Sequence, residues 1–379
     1  MAIGSVTIVK VDGMQGNFNE VERVFLYLGK IADPDLAGQI IPIGGNTDLD
    51  QALGAGESEL KTQIAAARQN VQSDQFACYA VGVPTDQDWK EVLYAALDKP
   101  ADLNIEAVVL CTPLESKLEV QECMAAASEV LARFAKFIAV IGCVTGIDKS
   151  SETWGSYITR ISALVDGVAA ERVCVVPLLH GNDLGCVAGR LCNPAVSVAD
   201  SPMRVATGAL VGLGVTEDDI EPVDSAGAPL TMTTISALAD ARFSVCQWYA
   251  GYDGTYWADM ATLAAEGSDY AVYENLRVVD YCARRVRILA IARIADRRLN
   301  NTAQSISANE TYFMRPLREA SRTVVLNGVE LPAMIQPPQD GDISITWISR
   351  TEVSIAISAR PYNCPKKITV YMGLDLSNA

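Results

Sequence analysis

Between residues 21 and 193 the chain alternates short apolar runs with longer amphipathic stretches. The apolar runs are nearly continuous, which is typical of strands covered on both faces, and the stretches between them repeat with the helical period. Strands are predicted at 24–28, 76–83, 107–111, 137–144 and 172–179, and helices at 58–71, 89–97, 117–134 and 154–168. This alternation predicts an α/β domain over residues 21–200, with a mostly parallel sheet between two layers of helices.

The most regular stretch of the chain runs from residue 273 to residue 300 without a Gly or a Pro. At 100° per residue its apolar positions fall on one stripe, which predicts an amphipathic helix of roughly 40 Å. The stripe consists of Leu276, Val279, Ala283, Val286, Ala290 and Ile294. Because Ile288 and Ile291 add apolar surface beside the stripe, we expect the second half of the helix to be covered on more than one side.

Weaker patterns flank this helix. Residues 201–270 read as a connector, with a strand at 209–213 and an aromatic β-hairpin at 242–260 whose turn falls at residues 252–254. After the helix, residues 301–319 are polar and short-helical, and strands are predicted at 323–326, 343–349 and 353–359. Residues 271–379 therefore predict a second domain of the α+β class, joined to the α/β domain through the connector.

Each end of the chain carries a strand-like segment that stands apart from the predicted domains. Residues 5–11 alternate within an N-terminal arm of residues 1–20, and residues 368–374 alternate within a C-terminal arm of residues 366–379. The apolar positions of the two arms are Val6, Ile8, Val11, Ile368, Val370, Met372 and Leu374. Because an isolated strand leaves its backbone groups unpaired, each arm is predicted to join a sheet, in this chain or in a neighbouring copy.

The chain is strongly acidic, with 46 Asp+Glu against 30 Lys+Arg and a net charge of −16. Residues 277–322 oppose this trend, because ten Arg against four acidic residues give them a local charge of +6 and leave −22 for the remainder. An Arg-rich band on an acidic protein can orient a partner, and a solvated helix face with structural ion pairs would have the same composition. The pI of about 4.6 argues against nucleic acid as the main partner.

The length, the apolar runs and the cysteine spacing indicate a soluble protein of two to three domains without disulfides or a metal site. The 379 residues allow two to three domains. The start of the chain lacks the features of a signal peptide, and no apolar run reaches membrane-spanning length, so a soluble protein without membrane insertion is expected. The ten cysteines are scattered without a CxxC pair, and the chain has one His. Buried, reduced thiols are therefore predicted, and no metal or other cofactor.

An enzyme is the main alternative, because parallel sheets of this kind carry many nucleotide-dependent activities. The segments after the predicted strands contain neither GxGxxG nor a P-loop, and residues 41–46 (IPIGGN) suggest only a generic glycine turn. His180, in the sequence HGND, could act as a general base with Asp183 as its orienter, whereas a locally bonded His is the commoner arrangement. A soluble α/β enzyme with a site at the strand ends near His180 stays open as the alternative.

The C-terminal third carries a family resemblance. The motifs are WYAGYDGTYWADM from residue 248, ENLRVVDYCARRVRILAIARIADRRLNNT from residue 274, MRPLREA, PPQDGDISITW, ARPYNCPKKITV and the terminal LDLS. This part resembles the conserved domain of contractile-tail sheath proteins of bacteriophages, of the myovirus type. The α/β region is compatible with the variable inserted domain of such sheaths.

The resemblance implies a structural role and no enzymatic activity. Sheath subunits of this family form stacked hexameric rings around a tail tube, between a baseplate and a tail terminator, and contraction drives the tube through the host envelope. The N- and C-terminal arms would exchange strands between subunits, with Gly13, Gly16 and the region of Pro361 as hinges. The expected location is the virion, with assembly in the host cytoplasm. A different self-assembling protein, such as a capsid component, is a further alternative.

Three residues of the Arg-rich band are predicted to face the tail tube. They are Arg284, Arg287 and Arg298, which lie beside the apolar stripe of the long helix. Cationic side chains can hold an acidic partner through contacts that salt weakens and that are released when the subunits move.

Overall fold

A computed structural model describes residues 21–73, 75–214, 221–326 and 329–373. The N-terminal arm with Val6, Ile8 and Val11 lies outside the described residues, as does Leu374 near the other end. The described part confirms the predicted fold class, because a three-layer α/β unit is followed by an α+β unit.

The α/β unit is built on a six-stranded sheet in the order β2-β3-β1-β4-β5-β6. Its strands are β1 Phe25–Gly29, β2 Ile40–Gly44, β3 Ala77–Gly82, β4 Ala107–Leu110, β5 Ala139–Val144 and β6 Val173–Pro177. Every pairing is parallel except that of β2 with β3. The five predicted strands are confirmed within two residues at each end. The glycine turn predicted at residues 41–46 is present but shorter. Residues 41–44 belong to the edge strand β2, where Pro42 is tolerated, and the turn follows at residues 45–46, where the Thr47 amide donates to the carbonyl of Gly44 at 3.2 Å.

Helices cover both faces of this sheet. They are α1 Leu49–Leu53, α2 Glu59–Val71, α3 Trp89–Leu97, α4 Lys117–Phe134, α5 Trp154–Val165 and α6 Asp183–Cys192. Side chains of a strand alternate between faces, so Leu26 and Leu28 of β1 pack in the core with α3, α4 and α5. Phe25 and Tyr27 point to the opposite core, with α1, α2 and α6. This double coverage explains why the strands read as continuous apolar runs.

Helices α2 and α6 approach each other closely through two glycines. A Cβ atom added at Gly185 would lie 2.1 Å from the carbonyl oxygen of Gln63, and one added at Gly189 would lie 2.2 Å from that of Ala67. Both glycines face α2 because they are four residues apart on α6. Glycine is required here for the close backbone approach.

The connector differs from its prediction. Residues 209–213 form no strand, because the Leu210 amide donates to the carbonyl of Thr255 and the Val211 amide donates to the side chain of Asn70. A helix that was not predicted, α7 Met232–Asp240, follows. The hairpin is confirmed, with strands β7 Cys246–Tyr249 and β8 Tyr252–Trp257. Its turn was predicted at residues 252–254 but lies at residues 250–251, where Gly251 has φ +74°.

The long helix, α8 Tyr273–Ile291, begins where it was predicted and ends nine residues earlier. Its 19 residues span about 28 Å, shorter than the prediction. Beyond it the chain turns, with Ala295 at φ +56° and the Arg293 side chain bonded to Asn309 at 3.0 Å. These contacts bring the chain after Ile291 back toward α8. The hydrophobic periodicity of the sequence does not reveal them, because they join residues that are distant along the chain.

The apolar stripe predicted for α8 was partly wrong. Leu276 and Val286 are buried, whereas Val279, Ala283 and Ala290 are partly exposed and Ile294 is 75% exposed. The helix lies between two cores: Tyr273 and Leu276 pack into the α/β unit, and Val278, Cys282 and Val286 pack into the C-terminal unit. One stripe is therefore replaced by two buried faces, and in the second half of the helix Val286 is buried, Leu289 and Ala290 pack partly buried beside it, and Arg287 and Ile291 are exposed.

The C-terminal unit packs against the second face of α8. It contains α9 Ala303–Phe313, α10 Arg315–Ala320 and two antiparallel hairpins, β9 Val324–Leu326 with β10 Val329–Leu331, and β11 Ile343–Trp347 with β12 Val353–Ile357. The predicted helical stretch and the three predicted strands after it are confirmed, with small differences in bounds. Among the described residues no helix has the length and apolarity needed to traverse a bilayer.

Candidate assembly surfaces

Buried ion pairs join α8 to the α/β unit. The guanidinium of Arg277 contacts both carboxylate oxygens of Glu106, at 2.5 and 3.0 Å, and Asp280 accepts two hydrogen bonds from Arg172, at 2.8 and 2.9 Å. Burial alone would raise the pKa of Glu106, but the charge of Arg277 outweighs it and holds that pKa below its usual value. These pairs fix α8 to the sheet.

A third ion-pair cluster involves Glu22, which lies just after the N-terminal arm. The Glu22 carboxylate accepts hydrogen bonds from Arg284 at 3.1 Å and from Arg285 at 2.9 Å. Burial opposes ionisation of Glu22, and the two guanidinium groups overcome it and lower its pKa to about 2. Arg284 thus holds the root of the arm, and its side chain is only 13% exposed.

The remaining predicted tube-facing residues are accessible. Arg287 is exposed and lines a cleft of about 360 Å³ together with Lys136 and Arg284. Arg298 is also exposed and pairs with Asp296 at 2.7 Å. We call residues 287–298 the 287–298 segment; it also exposes Ile291 and Ile294. It presents cationic and apolar side chains together.

The start of the C-terminal arm extends into solvent. Ile368, Val370 and Met372 are 75%, 82% and 95% exposed, and residues 368–373 belong to no strand within the described chain. Among the described residues these large apolar side chains have no strand beside them, which is the arrangement of a strand without its sheet. Within the described part of the chain the strand predicted at this place is therefore not formed.

The predicted catalytic pair does meet, but in a form unsuited to catalysis. His180 Nδ1 lies 2.8 Å from Asp183 Oδ1 and 3.8 Å from Cys246 Sγ, and all three residues are buried. Burial disfavours protonation, but the Asp183 charge outweighs it and raises the pKa of His180 to about 10. Burial also raises the pKa of the Cys246 thiol. A protonated, enclosed His cannot serve as a general base at neutral pH.

The geometry of this cluster excludes a nucleophilic triad as well. A triad places its nucleophile and its acid on opposite ring nitrogens, whereas Cys246 and Asp183 share Nδ1. His180 also follows the edge strand β6, while the topological switch point of the sheet lies where β1 meets β4. The three donor atoms lie within 4.8 Å of one another, and structural zinc almost always takes four ligands.

All ten cysteines are free, as predicted, and nine of them are buried. The partners that sequence reasoning missed are Glu22, Glu106 and Arg172, each of which binds a residue of α8. Glu106 and Arg277 are 171 residues apart, so no spacing rule could have paired them. The surplus of Arg in α8 was the available signal, and part of it serves these internal bonds.

Comparison with known proteins gives the family. Residues 3–261 match the N-terminal domain of the DUF2586 family, and residues 269–377 match its C-terminal domain. The chain is 40% identical over 378 residues to the "Putative tail sheath protein" of Haemophilus phage HP1 (strain HP1c1), covering 99% of this chain and 98% of that protein.

Solved structures show the same fold at low identity. The helical sheath of the anti-feeding prophage in its contracted state is similar with a TM-score of 0.59 and 13% identity, over 99% of this chain and 100% of that one. The sheath tail protein of Listeria innocua is similar with a TM-score of 0.56 and 9% identity, over 90% and 92%. By full-length similarity, the chain belongs to the DUF2586 family and is a structural tail sheath protein of the phage type.

Proposed function

We propose that this protein polymerises as stacked hexameric rings around a tail tube and contracts to drive the tube through the host envelope. The observation that carries the proposal is the exposed apolar segment at residues 368–373, which has the alternation of a strand but joins no sheet formed by the described residues. A neighbouring copy would supply the missing sheet edge, and main-chain pairing would keep the subunits connected while their bodies rotate.

The partners follow from this assembly. We expect self-association, an inner tail tube, and a baseplate and a tail terminator at the two ends, with assembly in the host cytoplasm and the virion as final location. The 287–298 segment is the best-placed surface for an acidic tube, because Arg287, Arg297 and Arg298 are exposed there beside Ile291 and Ile294. Arg284 is engaged with Glu22, so its contribution to tube binding would be smaller.

Electron microscopy of the protein expressed with and without its tube protein tests the assembly. Hollow striated cylinders that shorten and widen on contraction are the expected result. Discrete particles under both conditions, or closed shells, would contradict the proposal and favour a different role.

The tube-facing surface is tested by reversing charge at Arg287 and Arg298. Arg287→Glu with Arg298→Glu should lower co-assembly with the tube by about tenfold or more and leave the monomer folded, because the lost attraction becomes a repulsion. Lys99→Glu with Lys117→Glu, at two exposed positions of the α/β unit, is the matched double charge reversal and should have no effect. Equal loss in both variants, or loss in neither, would show that the 287–298 segment does not face the tube.

A further inference from the structure

Lys366 lies where the C-terminal arm leaves the body of the protein, and it binds two acidic residues at once. Its Nζ atom is 2.6 Å from Asp259 Oδ1 and 2.6 Å from Glu274 Oε1. Asp259 follows β8 in the region that matches the N-terminal family domain, whereas Glu274 lies in the first turn of α8. One side chain therefore joins the root of the arm to both matched domains.

The chain passes from a paired segment to a solvent-exposed segment within a few residues of Lys366. Before it, Pro361 is bridged to Ile335, and the Gln336 amide donates to the carbonyl of Arg360 at 2.8 Å. After it, the side chains from Ile368 to Met372 extend into solvent. The hinge was expected near Pro361, but the backbone there is paired with residues 335–336. The exposed segment begins only beyond Lys366.

The ion pair between Lys366 and Glu274 differs from a surface ion pair because the Glu274 carboxylate is buried. The Glu274 side chain is 7% exposed, and its Oε2 atom is buried without a hydrogen-bond partner. Burial raises its pKa, and Lys366 counteracts that effect. A buried carboxylate needs an opposite charge close by, so removing Lys366 leaves a charge that the surrounding structure does not compensate.

We propose that Lys366 is the fixed root of the C-terminal arm, holding residues up to 366 with the rigid body and leaving the exposed residues 367–373 to pair with a neighbouring subunit. The inference rests on the proposed sheath function. Residues 367–373 span about 23 Å when extended, so the strand edge that pairs with them lies within that distance of Lys366 in both the extended and the contracted lattice. If Lys366 holds the start of the arm to the subunit body, the paired strand moves with the body when the subunit rotates. Without that contact, the residues between the body and the paired strand would change conformation, and the strand would not follow the rotation.

The test removes the anchor without leaving a buried charge. Lys366→Met combined with Glu274→Gln deletes both charges, Lys366→Arg keeps the anchor, and Lys367→Met is the matched control at the exposed neighbour. Cys364 supplies a natural reporter, because it is exposed while the other nine cysteines are buried. A nitroxide attached to Cys364 reports the mobility of the root by electron paramagnetic resonance.

We expect the double variant to fold, with a nitroxide correlation time shortened by about threefold and few or no sheaths around tubes. Lys366→Arg and Lys367→Met should resemble the wild type in both measurements. Unchanged mobility in the double variant, or sheaths of normal length that contract normally, would overturn the anchor. Failure of the wild-type protein to form sheaths with its tube would instead contradict the proposed function, so the two failures are distinguishable.

Discussion

Substitution of Glu106 by Gln should destabilise the protein strongly. Arg277 would remain 2% exposed and lose the charge that both of its contacts to Glu106 supply. Gln keeps the oxygen that accepts from the Arg23 amide at 2.6 Å, and its NH2 group then faces the Arg277 Nε–H, so the change removes both the charge and one acceptor of Arg277. Leaving a buried charge without its partner costs about 3–5 kcal/mol in the free energy of unfolding.

The paired substitution gives the discriminating comparison. Glu106→Gln with Arg277→Met removes both charges, and because a buried ion pair contributes little net stability, we expect a loss below about 2 kcal/mol. Glu129→Gln is the control, since Glu129 and its partner Arg133 are about half exposed and such pairs contribute about 1 kcal/mol or less.

Urea unfolding followed by tryptophan fluorescence and by far-ultraviolet circular dichroism measures these differences. The two signals also show whether the α/β and C-terminal units unfold together, as α8 shared between two cores requires. The reasoning fails if the single variant stays within about 1 kcal/mol of the wild type, or if the double variant is as unstable as the single one.

Three further predictions concern pH, packing and the N-terminal arm. Glu22 has a folded pKa of about 2 against an ordinary 4.5, so its contribution of about 3 kcal/mol is present above pH 4.5 and is lost as pH falls toward 2. Unfolding curves of Glu22→Gln should lack this part of the pH dependence; an identical slope would contradict the assignment. Gly189→Ala should lower the melting temperature markedly because its Cβ meets the Ala67 backbone, whereas Gly155→Ala, with open space around it, should not; equal effects would argue against close packing as the cause. Deleting residues 1–12 should leave a folded monomer that forms no sheaths in electron microscopy, and long sheaths from the truncated chain would refute strand exchange by this arm.

The sequence determined the elements that depend on neighbouring residues. Five strands of the large sheet and the four helices predicted between them were located because a strand buried on both faces is continuously apolar and an amphipathic helix repeats every 3.6 residues. The scattered cysteines were correctly interpreted as free thiols, and nine of the ten are buried as predicted, Cys364 being the exception. The motifs from residue 248 onward also indicated the sheath family, which the full-length comparison confirms.

Tertiary structure alone decided the features that depend on distant residues. Helix α8 ends at Ile291 because later contacts of Arg293 turn the chain, and its stripe divides because two cores share it. The Arg-rich band separates into internal ion pairs and an exposed 287–298 segment only when Glu22 and Glu106 are brought to α8. His180 becomes an enclosed ion pair because Asp183 and Cys246 approach the same ring nitrogen. Local periodicity records which face of an element is apolar, and it contains no information about which distant charge or backbone will cover that face.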